Sequence, residues 1–560
     1  MKLRLSAVEA FMLALFCFYA FLFYQSISPY IFSEIYTTDD ARQQLYPLWR
    51  AVYHDAFRDD PITESMMGYL SPLHWEISYL VTLITKSPVM TGHVVMTVQL
   101  GLAVTFLYLL VKFFSDKIPA LFSVIWFLHS RNLPQRLTGG LPRGWAPFVL
   151  LSALYFMAKQ SQYGVLIVLL AGILLNPPAA FIMAVCYGAF LFFRTINSTT
   201  RTDYKPLFFK FLISCPFFAA IAIYSLRRPA KFGHIATLEE AEENPAFSAA
   251  GGRFPFVPLK SPITELKVTG TQAFQNKWHE LPSFLSQQTL LFILLGVLLS
   301  VYLIGLKKKR QLIPLELTIY FFSILLVYFL SRFFAFQLYV PDRHLQYPLN
   351  IFWISSFSIL IWRLARTENE KIWQIRATFY FIVFAGILSL LGGTGLEGDA
   401  NFNTKTDRFQ RLHAWVRLNT SRSDVFAGHP KELDLLPLAS VRMAYITEET
   451  AHPFYSGYWN LVKSRMETSF RMLYASNPKE FLESMGEEKI DYFVFNRSRF
   501  QPAAIKSATS FLPLDRLVKK LVAKNQNNFF YELLDLGAYS QSIVYQDNEV
   551  LVIKPALLQQ

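Results

Sequence analysis

Cysteine is scarce in this sequence of 560 residues, and the three cysteines present form no ligand pattern. Cys17, Cys186 and Cys215 all lie in or beside apolar runs, and no CxxC or comparable spacing links them. Structural zinc sites and disulfide frameworks depend on such spacings. The sequence therefore argues against both a structural zinc site and a disulfide framework. The cysteines fit an oxidising and a reducing compartment equally well.

Motifs for nucleic-acid binding are also missing, although the formal net charge is +13. The basic residues are gathered in neither one tail nor one helix stripe, and no zinc-finger spacing or RNA-binding motif occurs. Lysine and arginine beside membrane-spanning segments account better for this charge. We therefore expect membrane lipids as partners, and no nucleic acid.

Long apolar runs are what the chain has in abundance. It is 53% hydrophobic, contains 53 phenylalanines and has a mean hydropathy of +0.29. Apolar stretches of about 18 or more residues recur, which is the length that crosses a bilayer as a helix. They predict an α-helical polytopic membrane protein with about 11 transmembrane helices. These cover approximately residues 7–27, 88–112, 118–130, 144–158, 162–176, 178–194, 207–226, 285–306, 313–331, 345–362 and 377–393.

Basic residues predict how these helices are oriented. Lys2 and Arg4 place the amino terminus inside, because lysine and arginine favour the cytoplasmic side. Each spanning helix carries the chain to the other side of the membrane, and by this count the tetrabasic run 307–310 also falls inside. The same count places everything after about residue 394 outside.

The predicted orientation divides the chain into two domains. Residues 1–393 form a transmembrane domain with outer loops at 28–72 and 227–284. Residues 394–560 are more polar, with short apolar runs, which predicts a soluble α/β domain outside the cytoplasm. Its predicted strands lie at 424–428, 491–495, 542–545 and 550–554, and its predicted helices at about 456–475 and 477–486.

Two adjacent carboxylates, Asp39 and Asp40, follow the first apolar run. A charged pair at the edge of a membrane is costly to bury and easy to leave in water, so we interpret this stretch as a candidate reaction centre. The alternative is capping of the next helix, because Asp is a good N-cap residue. Within the same loop, residues 45–57 carry apolar side chains at helical spacing, which predicts an amphipathic helix lying flat on the membrane.

Arginine is unexpectedly frequent in the loops predicted to lie outside, where short loops should contain little of it. Arg42, Arg143, Arg332 and Arg343 all fall in these loops. Contact with lipid headgroups, or an error in the predicted topology, would explain them. The functional alternative is a site for the phosphate of a lipid, since arginine offers bidentate hydrogen bonds and a fixed charge.

Two neighbouring segments could contribute to such a site. Gly139 and Gly140 would let a ligand approach the backbone closely, or they simply form a tight loop between two helices. Asp342, Arg343 and His344 follow a proline just before a predicted helix, where an uncompensated charge is expensive. Phosphate binding and an internal pairing of Asp342 with Arg343 are both consistent with this position.

The layout resembles the GT-C superfamily of membrane glycosyltransferases, which take sugar from a polyprenyl-phosphate carrier. The matching features are 38–42 after the first helix, the stretch 45–57, the segment 340–348 and the domain after 394. The order of helices, loops and C-terminal domain is similar over the whole chain, but only a few residues match the motifs of the superfamily. The sequence lacks a Trp-Trp-Asp element of the oligosaccharyltransferase kind and an Asp-x-Asp in the first loop, so the subfamily stays open. The C-terminal part also resembles the tail of polytopic bacterial membrane proteins of this kind.

The resemblance implies roles for the candidate residues. Asp39 or Asp40 would take the proton from the acceptor hydroxyl, and only one would face the cleft, because neighbours on an extended chain point opposite ways. The lipid phosphate gains negative charge as it leaves, and that charge needs cations or a metal. A divalent metal is compatible with this chemistry, but the sequence shows no dedicated ligand set and no cofactor is assigned. The candidates for binding the lipid phosphate are Arg42, Arg143, Arg332, Arg343 and His344.

The expected activity is transfer of a sugar from a lipid-linked donor to an acceptor at the outer face of a bacterial inner membrane. The sequence identifies neither the sugar nor the acceptor. One alternative is a transporter or flippase of lipid-linked sugars, which predicts internal repeats, and none is evident. The other is a non-enzymatic assembly protein, in which Asp39 and Asp40 would be dispensable.

Overall fold

The computed structural model of the protein is mostly helical. Residues 308–310 of the tetrabasic run, residues 227–231 at the start of the long outer loop and residues 392–401 lie outside the described residues. The structure describes residues 7–34, 36–130, 132–197, 201–226, 232–274, 287–307, 311–365, 369–391, 402–403, 409–486, 488–524, 528–534 and 539–558.

Several helices begin where a proline follows a capping side chain. Asp60 precedes Pro61 and accepts hydrogen bonds from two backbone amides of the first turn, and Asn176 does the same for one amide after it. The helices are α1 (Ala7–Ile27), α2 (Asp39–Leu45), α3 (Pro61–Tyr69), α4 (Pro72–Thr85), α5 (Pro88–Phe114), α6 (Lys117–His129), α7 (Asn132–Gln135), α8 (Ala146–Ala158), α9 (Gln162–Leu175), α10 (Pro177–Ile196), α11 (Arg201–Leu226), α12 (Leu238–Glu243), α13 (Pro262–Val268), α14 (Gln287–Lys307), α15 (Leu315–Phe333), α16 (Arg343–Gln346), α17 (Pro348–Ala365), α18 (Glu370–Leu391), α19 (Gln410–Asn419), α20 (Leu436–Ser440), α21 (Ser456–Leu473), α22 (Pro478–Met485), α23 (Pro502–Lys506), α24 (Leu514–Lys524) and α25 (Phe529–Leu534).

All the segments predicted to span the membrane are helices, namely α1, α5, α6, α8, α9, α10, α11, α14, α15, α17 and α18. The predicted class, an α-helical integral membrane protein, is confirmed, and the count of about 11 spans stays a prediction. Among the described residues, six stretches are long and apolar enough to cross a membrane: Val8–Ile27, Pro88–Phe114, Pro177–Ile196, Lys205–Tyr224, Leu315–Phe333 and Arg343–Ala365.

A buried core joins these helices. Trp126 of α6, Tyr320 of α15 and Trp353 of α17 are among its largest fully buried side chains. Helix α5 packs against α6 and α8, and α10 packs against α9, α11 and α15. In contrast, α11 and α14 expose large apolar side chains such as Phe209 and Leu299. A helix that is apolar on its outer face as well as its inner face suits a lipid environment.

The C-terminal part contains a five-stranded mixed sheet with the order β4-β3-β5-β7-β6. Strand β3 pairs in parallel with β4 and β5, and β7 pairs antiparallel with β5 and β6. The four predicted strands and the two predicted helices are present, whereas the short β4 was not predicted. The strands are β1 (Tyr36–Thr37), β2 (Phe402–Asn403), β3 (Val425–Gly428), β4 (Met443–Ala444), β5 (Tyr492–Asn496), β6 (Ile543–Gln546) and β7 (Val550–Ile553).

The first outer loop packs against the C-terminal part. The predicted amphipathic helix over 45–57 is wrong, because α2 ends at Leu45 and a short 3-10 helix, Tyr46–Ala51, follows it. Its apolar side chains are nevertheless buried, since Leu48 and Phe57 belong to the same hydrophobic cluster as α21 and the central strands. Trp49 also donates from Nε1 to the carbonyl of Leu438, at 2.8 Å. This loop and the C-terminal part therefore share one core.

Candidate active site

The chain just before Asp40 is fixed from two sides. Nε2–H of His93, on α5, lies 2.9 Å from the carbonyl oxygens of both Ser33 and Tyr36 and donates to them. Strand β1 pairs with β2, so that Tyr36 lies opposite Asn403. Helix α2 begins two residues after this strand. The start of α2 is therefore held by both the helical bundle and the segment that follows the last membrane helix.

Asp40 points toward the loop between α7 and α8 and forms an ion pair with Arg143, whose Nη1 donates to the Asp40 carboxylate. The side chain of Asp40 is 41% exposed, so a ligand can reach it. Asp40 therefore does not serve as a helix cap, and Thr38 occupies the N-cap position of α2. Asp39 is the first residue of α2, and its side chain lies outside the described part of the structure.

The loop that carries Arg143 is positioned by two buried amides. Gln99 of α5 donates from Nε2 to the carbonyl of Leu141 at 3.0 Å, and Asn176 donates from Nδ2 to the carbonyl of Pro142 at 3.1 Å. Arg143 itself donates from Nε to the carbonyl of Arg136 at 3.1 Å. The backbone on the N-terminal side of Arg143 is thus tied to two helices, and its guanidinium is aimed at Asp40. Sequence analysis did not identify Gln99 or this role for Asn176.

Gly139 and Gly140 have positive φ angles of 79° and 61°. A Cβ on Gly140 would lie 2.3 Å from the carbonyl oxygen of Gly92 on α5, and one on Gly139 would lie 2.9 Å from the Cβ of Ala41. Both glycines are therefore needed where this loop packs between α5 and α2. Of the two alternatives left open by the sequence, this tight packing accounts for both residues.

Two further arginines act on Asp40. Burial raises the pKa of Asp40, but the charges of Arg143, Arg343 and Arg136 together lower it below its usual value. The pKa of Arg136 is itself lowered, by burial and by repulsion from Arg343 and Arg143. Three guanidinium groups thus act on one carboxylate, which leaves an excess of positive charge. Arg136 is not among the phosphate ligands predicted from the sequence.

The remaining predicted phosphate ligands have other partners. Arg332 donates from Nη1 to Glu265 at 2.7 Å, and the same carboxylate oxygen accepts from the hydroxyl of Tyr328 at 2.6 Å. His344 is buried and donates from Nε2 to the carbonyl of Leu338 at 2.9 Å. Neither residue is among the groups with the largest effect on the pKa of Asp40.

Of the two alternatives for residues 342–344, the pairing of Asp342 with Arg343 is not seen. Among the described residues, no ion pair joins Asp342 to Arg343. Instead, Nη1 of Arg343 lies 3.4 Å from Oε1 of Gln346, and one carboxylate oxygen of Asp342 is buried without a hydrogen-bond partner in this part of the chain. Arg343 is therefore available to an anion.

Arg42 belongs to a second charged group, next to Asp40. Its Nη2 lies 3.9 Å from Oε1 of Glu449, a residue of the C-terminal part. Nη2 of Arg253, from the long outer loop, lies 3.5 Å from the other oxygen of Glu449. This contact could not be predicted from the sequence, because Glu449 lies 407 positions after Arg42 and 196 positions after Arg253.

A metal site is not apparent among the residues that the structure describes, where no group of three or more His, Cys, Asp or Glu side chains is placed to hold an ion. The question of a divalent metal is therefore left to experiment.

No protein-family model matches the chain, and no curated protein matches it. Among solved structures, the apo oligosaccharyltransferase of Archaeoglobus fulgidus aligns with 87% of this chain and 70% of its own, at 12% identity and a TM-score of 0.51. The same enzyme tethered to an acceptor peptide containing the NVT sequon aligns with 92% of this chain and 72% of its own, at 12% identity and a TM-score of 0.50.

A third similar structure is ArnT from Cupriavidus metallidurans bound to undecaprenyl phosphate, which aligns over 98% of both chains at 10% identity and a TM-score of 0.47. The similarity to the archaeal enzyme is one of fold, and it extends over most of both chains. The resemblance predicted from the sequence is confirmed at this level: the chain shares its fold with the oligosaccharyltransferase of Archaeoglobus fulgidus.

Proposed function

We propose that the protein is a membrane glycosyltransferase that moves a sugar from a polyprenyl-phosphate carrier to an acceptor. The main support is the arrangement of Arg136, Arg143 and Arg343 around Asp40, in a chain with the GT-C fold. In this proposal the reaction takes place at the outer face of a bacterial inner membrane, and the C-terminal α/β part lies outside the cytoplasm.

The arginines suit the phosphate of the donor. Three guanidinium groups and one carboxylate leave a net positive charge, and a bound phosphate would offset the repulsion that lowers the pKa of Arg136. Arginine can bind phosphate through two parallel hydrogen bonds. As the bond between the anomeric carbon and the phosphate oxygen breaks, its electrons go to the phosphate, and these cations stabilise the charge that develops.

Asp40 is our candidate for the base that receives the acceptor proton. The acceptor oxygen forms its bond to the anomeric carbon while its proton moves to the carboxylate. The ion pair with Arg143 makes Asp40 a weak base in the ligand-free protein, because it holds the pKa low. A donor phosphate that takes over Arg143 would weaken this pair and raise the proton affinity of Asp40. Asp39 is retained as the alternative base.

The other predicted ligands enter the proposal differently. Arg343 contributes directly to the cationic group, and Arg42 lies two residues after Asp40 on the same helix. Arg332 and His344 would contact phosphate only by giving up Glu265 and the carbonyl of Leu338. We therefore assign them to the edge of the site.

The direct test uses purified protein in lipid nanodiscs with radiolabelled polyprenyl-phosphate sugars and a fractionated envelope extract as acceptor. We expect label to leave the lipid and appear in a second product, in equal amounts with free polyprenyl phosphate. The matched control is Asp40→Asn. Movement of intact labelled lipid between leaflets without cleavage would instead support a transporter, and no change in the lipid with any donor would contradict the proposal.

A further inference from the structure

Glu449 lies in a turn of the C-terminal part that is fixed on both sides. Its backbone N–H donates to Oδ1 of Asp434 at 3.0 Å. The N–H of Thr450 donates to Oγ1 of Thr447 at 3.2 Å, and the hydroxyl of Tyr458 donates to the carbonyl of Thr450 at 2.7 Å. The position of the Glu449 side chain is therefore set by the fold of the C-terminal part.

The Glu449 carboxylate lies between Arg42 and Arg253, at 3.9 Å and 3.5 Å. Arg253 is oriented by a second contact, because its Nε donates to the carbonyl of Glu448 at 3.0 Å. All three charged side chains are less than a fifth exposed, at 13%, 17% and 18%. Because these side chains are largely buried, loss of one charge would leave its partners without compensation.

Arg42 connects this turn to the candidate base. Helix α2 has seven residues, Asp39–Leu45, and a helix this short is not stable by itself, so its orientation depends on the contacts of its side chains. Arg42 is two residues after Asp40, and fixing one side chain of the helix limits the rotation of the other. Burial is the main reason that the pKa of Glu449 is raised; Arg253 and Arg42 lower it, and the charge of Asp40 raises it. The two carboxylates therefore act on each other.

We propose that Glu449 is a positioning residue of the active site, which holds α2 through Arg42 so that Asp40 meets the arginine cluster. Arg253 supports Glu449 from the long outer loop. The catalytic consequence rests on the proposed glycosyltransferase function, whereas the effect on α2 does not. The C-terminal part would thus complete the active site through one side chain.

The kinetic test compares Glu449→Gln, Glu449→Asp and the matched control Glu532→Gln, at an exposed position on α25. We expect Glu449→Gln to lower kcat by about tenfold or more, since a small misplacement of a catalytic group has effects of this size, with the KM for the lipid donor within about twofold. Glu449→Asp keeps the charge and should recover part of the rate, and Glu532→Gln should match wild type. A normal kcat for Glu449→Gln, or a loss seen only in KM, would overturn the proposal.

A second measurement does not require activity. Hydrogen–deuterium exchange of the peptide 39–45 should be faster in Glu449→Gln than in wild type, whereas exchange in α19 and α23 should not change. Equal exchange in 39–45 would overturn the proposal, and faster exchange throughout the C-terminal part would replace it with a general loss of folding. If exchange changes as expected and even the wild type transfers no sugar, the glycosyltransferase proposal fails and the positioning role stands.

Discussion

Asp40 and Arg143 form an ion pair across 103 positions of the chain, between α2 and the loop that joins α7 to α8. This hydrogen bond links Asp40, the candidate base, to Arg143, a candidate ligand of the lipid phosphate that leaves. Binding of the donor phosphate and deprotonation of the acceptor are then coupled, because both depend on the same guanidinium. This coupling can be tested one residue at a time.

The first prediction separates Asp40 from Asp39. Asp40→Asn keeps the size and the hydrogen-bonding capacity of the side chain but cannot accept a proton at neutral pH. We expect it to lose on the order of 100-fold or more in kcat, within the range of general base catalysis, and Asp39→Asn to lose far less. Rates are measured with purified, folded protein and a lipid-linked donor. Near-normal rates for both variants would remove the main reason to call the protein a transferase.

The second prediction concerns the cationic group. Arg343→Ala and Arg136→Ala should raise the KM for the lipid donor and also lower kcat, because each removes charge that binds the phosphate and stabilises it as it leaves. Lysine at either position should restore only part of the affinity, since the bidentate geometry is lost. Arg471→Ala, at an exposed position on α21, is the matched control. Unchanged donor KM in both alanine variants, with the fold intact, would exclude this phosphate site.

The third prediction follows from the low pKa of Asp40, whose usual value is 3.8. The pair with Arg143 contributes stability at pH values above the usual pKa, and this contribution is lost as pH falls through the lowered pKa. In Arg143→Ala the largest lowering influence is gone while burial remains, so the pKa of Asp40 should rise. The acidic limb of kcat/KM, which reports the free enzyme, should then move to higher pH. A limb at the same pH in wild type and variant would show that Asp40 is not the titrating base.

The fourth prediction is the topology, which depends on the charge pattern alone. With the amino terminus inside and the carboxyl terminus outside, an alkaline phosphatase fused to the C-terminus should be active in a bacterial host. A fluorescent protein that matures only in the cytoplasm should be dark at the same position. The reverse pattern would mean that one span has been miscounted, and α4 is the helix to reconsider.

Much of the architecture follows from local pattern. The membrane helices come from long apolar runs, and the C-terminal strands and helices come from short runs bounded by turn residues. The stretch 45–57 shows the limit of this approach, because apolar residues such as Leu48 and Phe57 have helical spacing although no continuous α-helix forms there and the 3-10 helix ends at Ala51. They are apolar because the C-terminal part covers them, and a local pattern cannot reveal a covering partner so distant in sequence.

The candidate site could be predicted only in part. Asp40, Arg143 and Arg343 were found because charge is unusual at a predicted membrane edge. Glu449 and Gln99 were not found, since a Glu in a polar loop and a Gln in a membrane helix carry no local sign of their partners. Both act through contacts that exist only in the folded protein: Gln99 with the carbonyl of Leu141, and Glu449 with two arginines.

The core shared by the first outer loop and the C-terminal part also constrains the order in which the protein can be made. Residues 41–66 are synthesised about 370 positions before Leu435, which belongs to their covering cluster, so at roughly 5–20 residues per second they wait about 20 to 70 s. During this interval their apolar side chains lack the partners that the C-terminal part supplies. The contact of Arg42 with Glu449 therefore cannot form during synthesis of the membrane helices, and a chain that stops early would leave this loop partly uncovered.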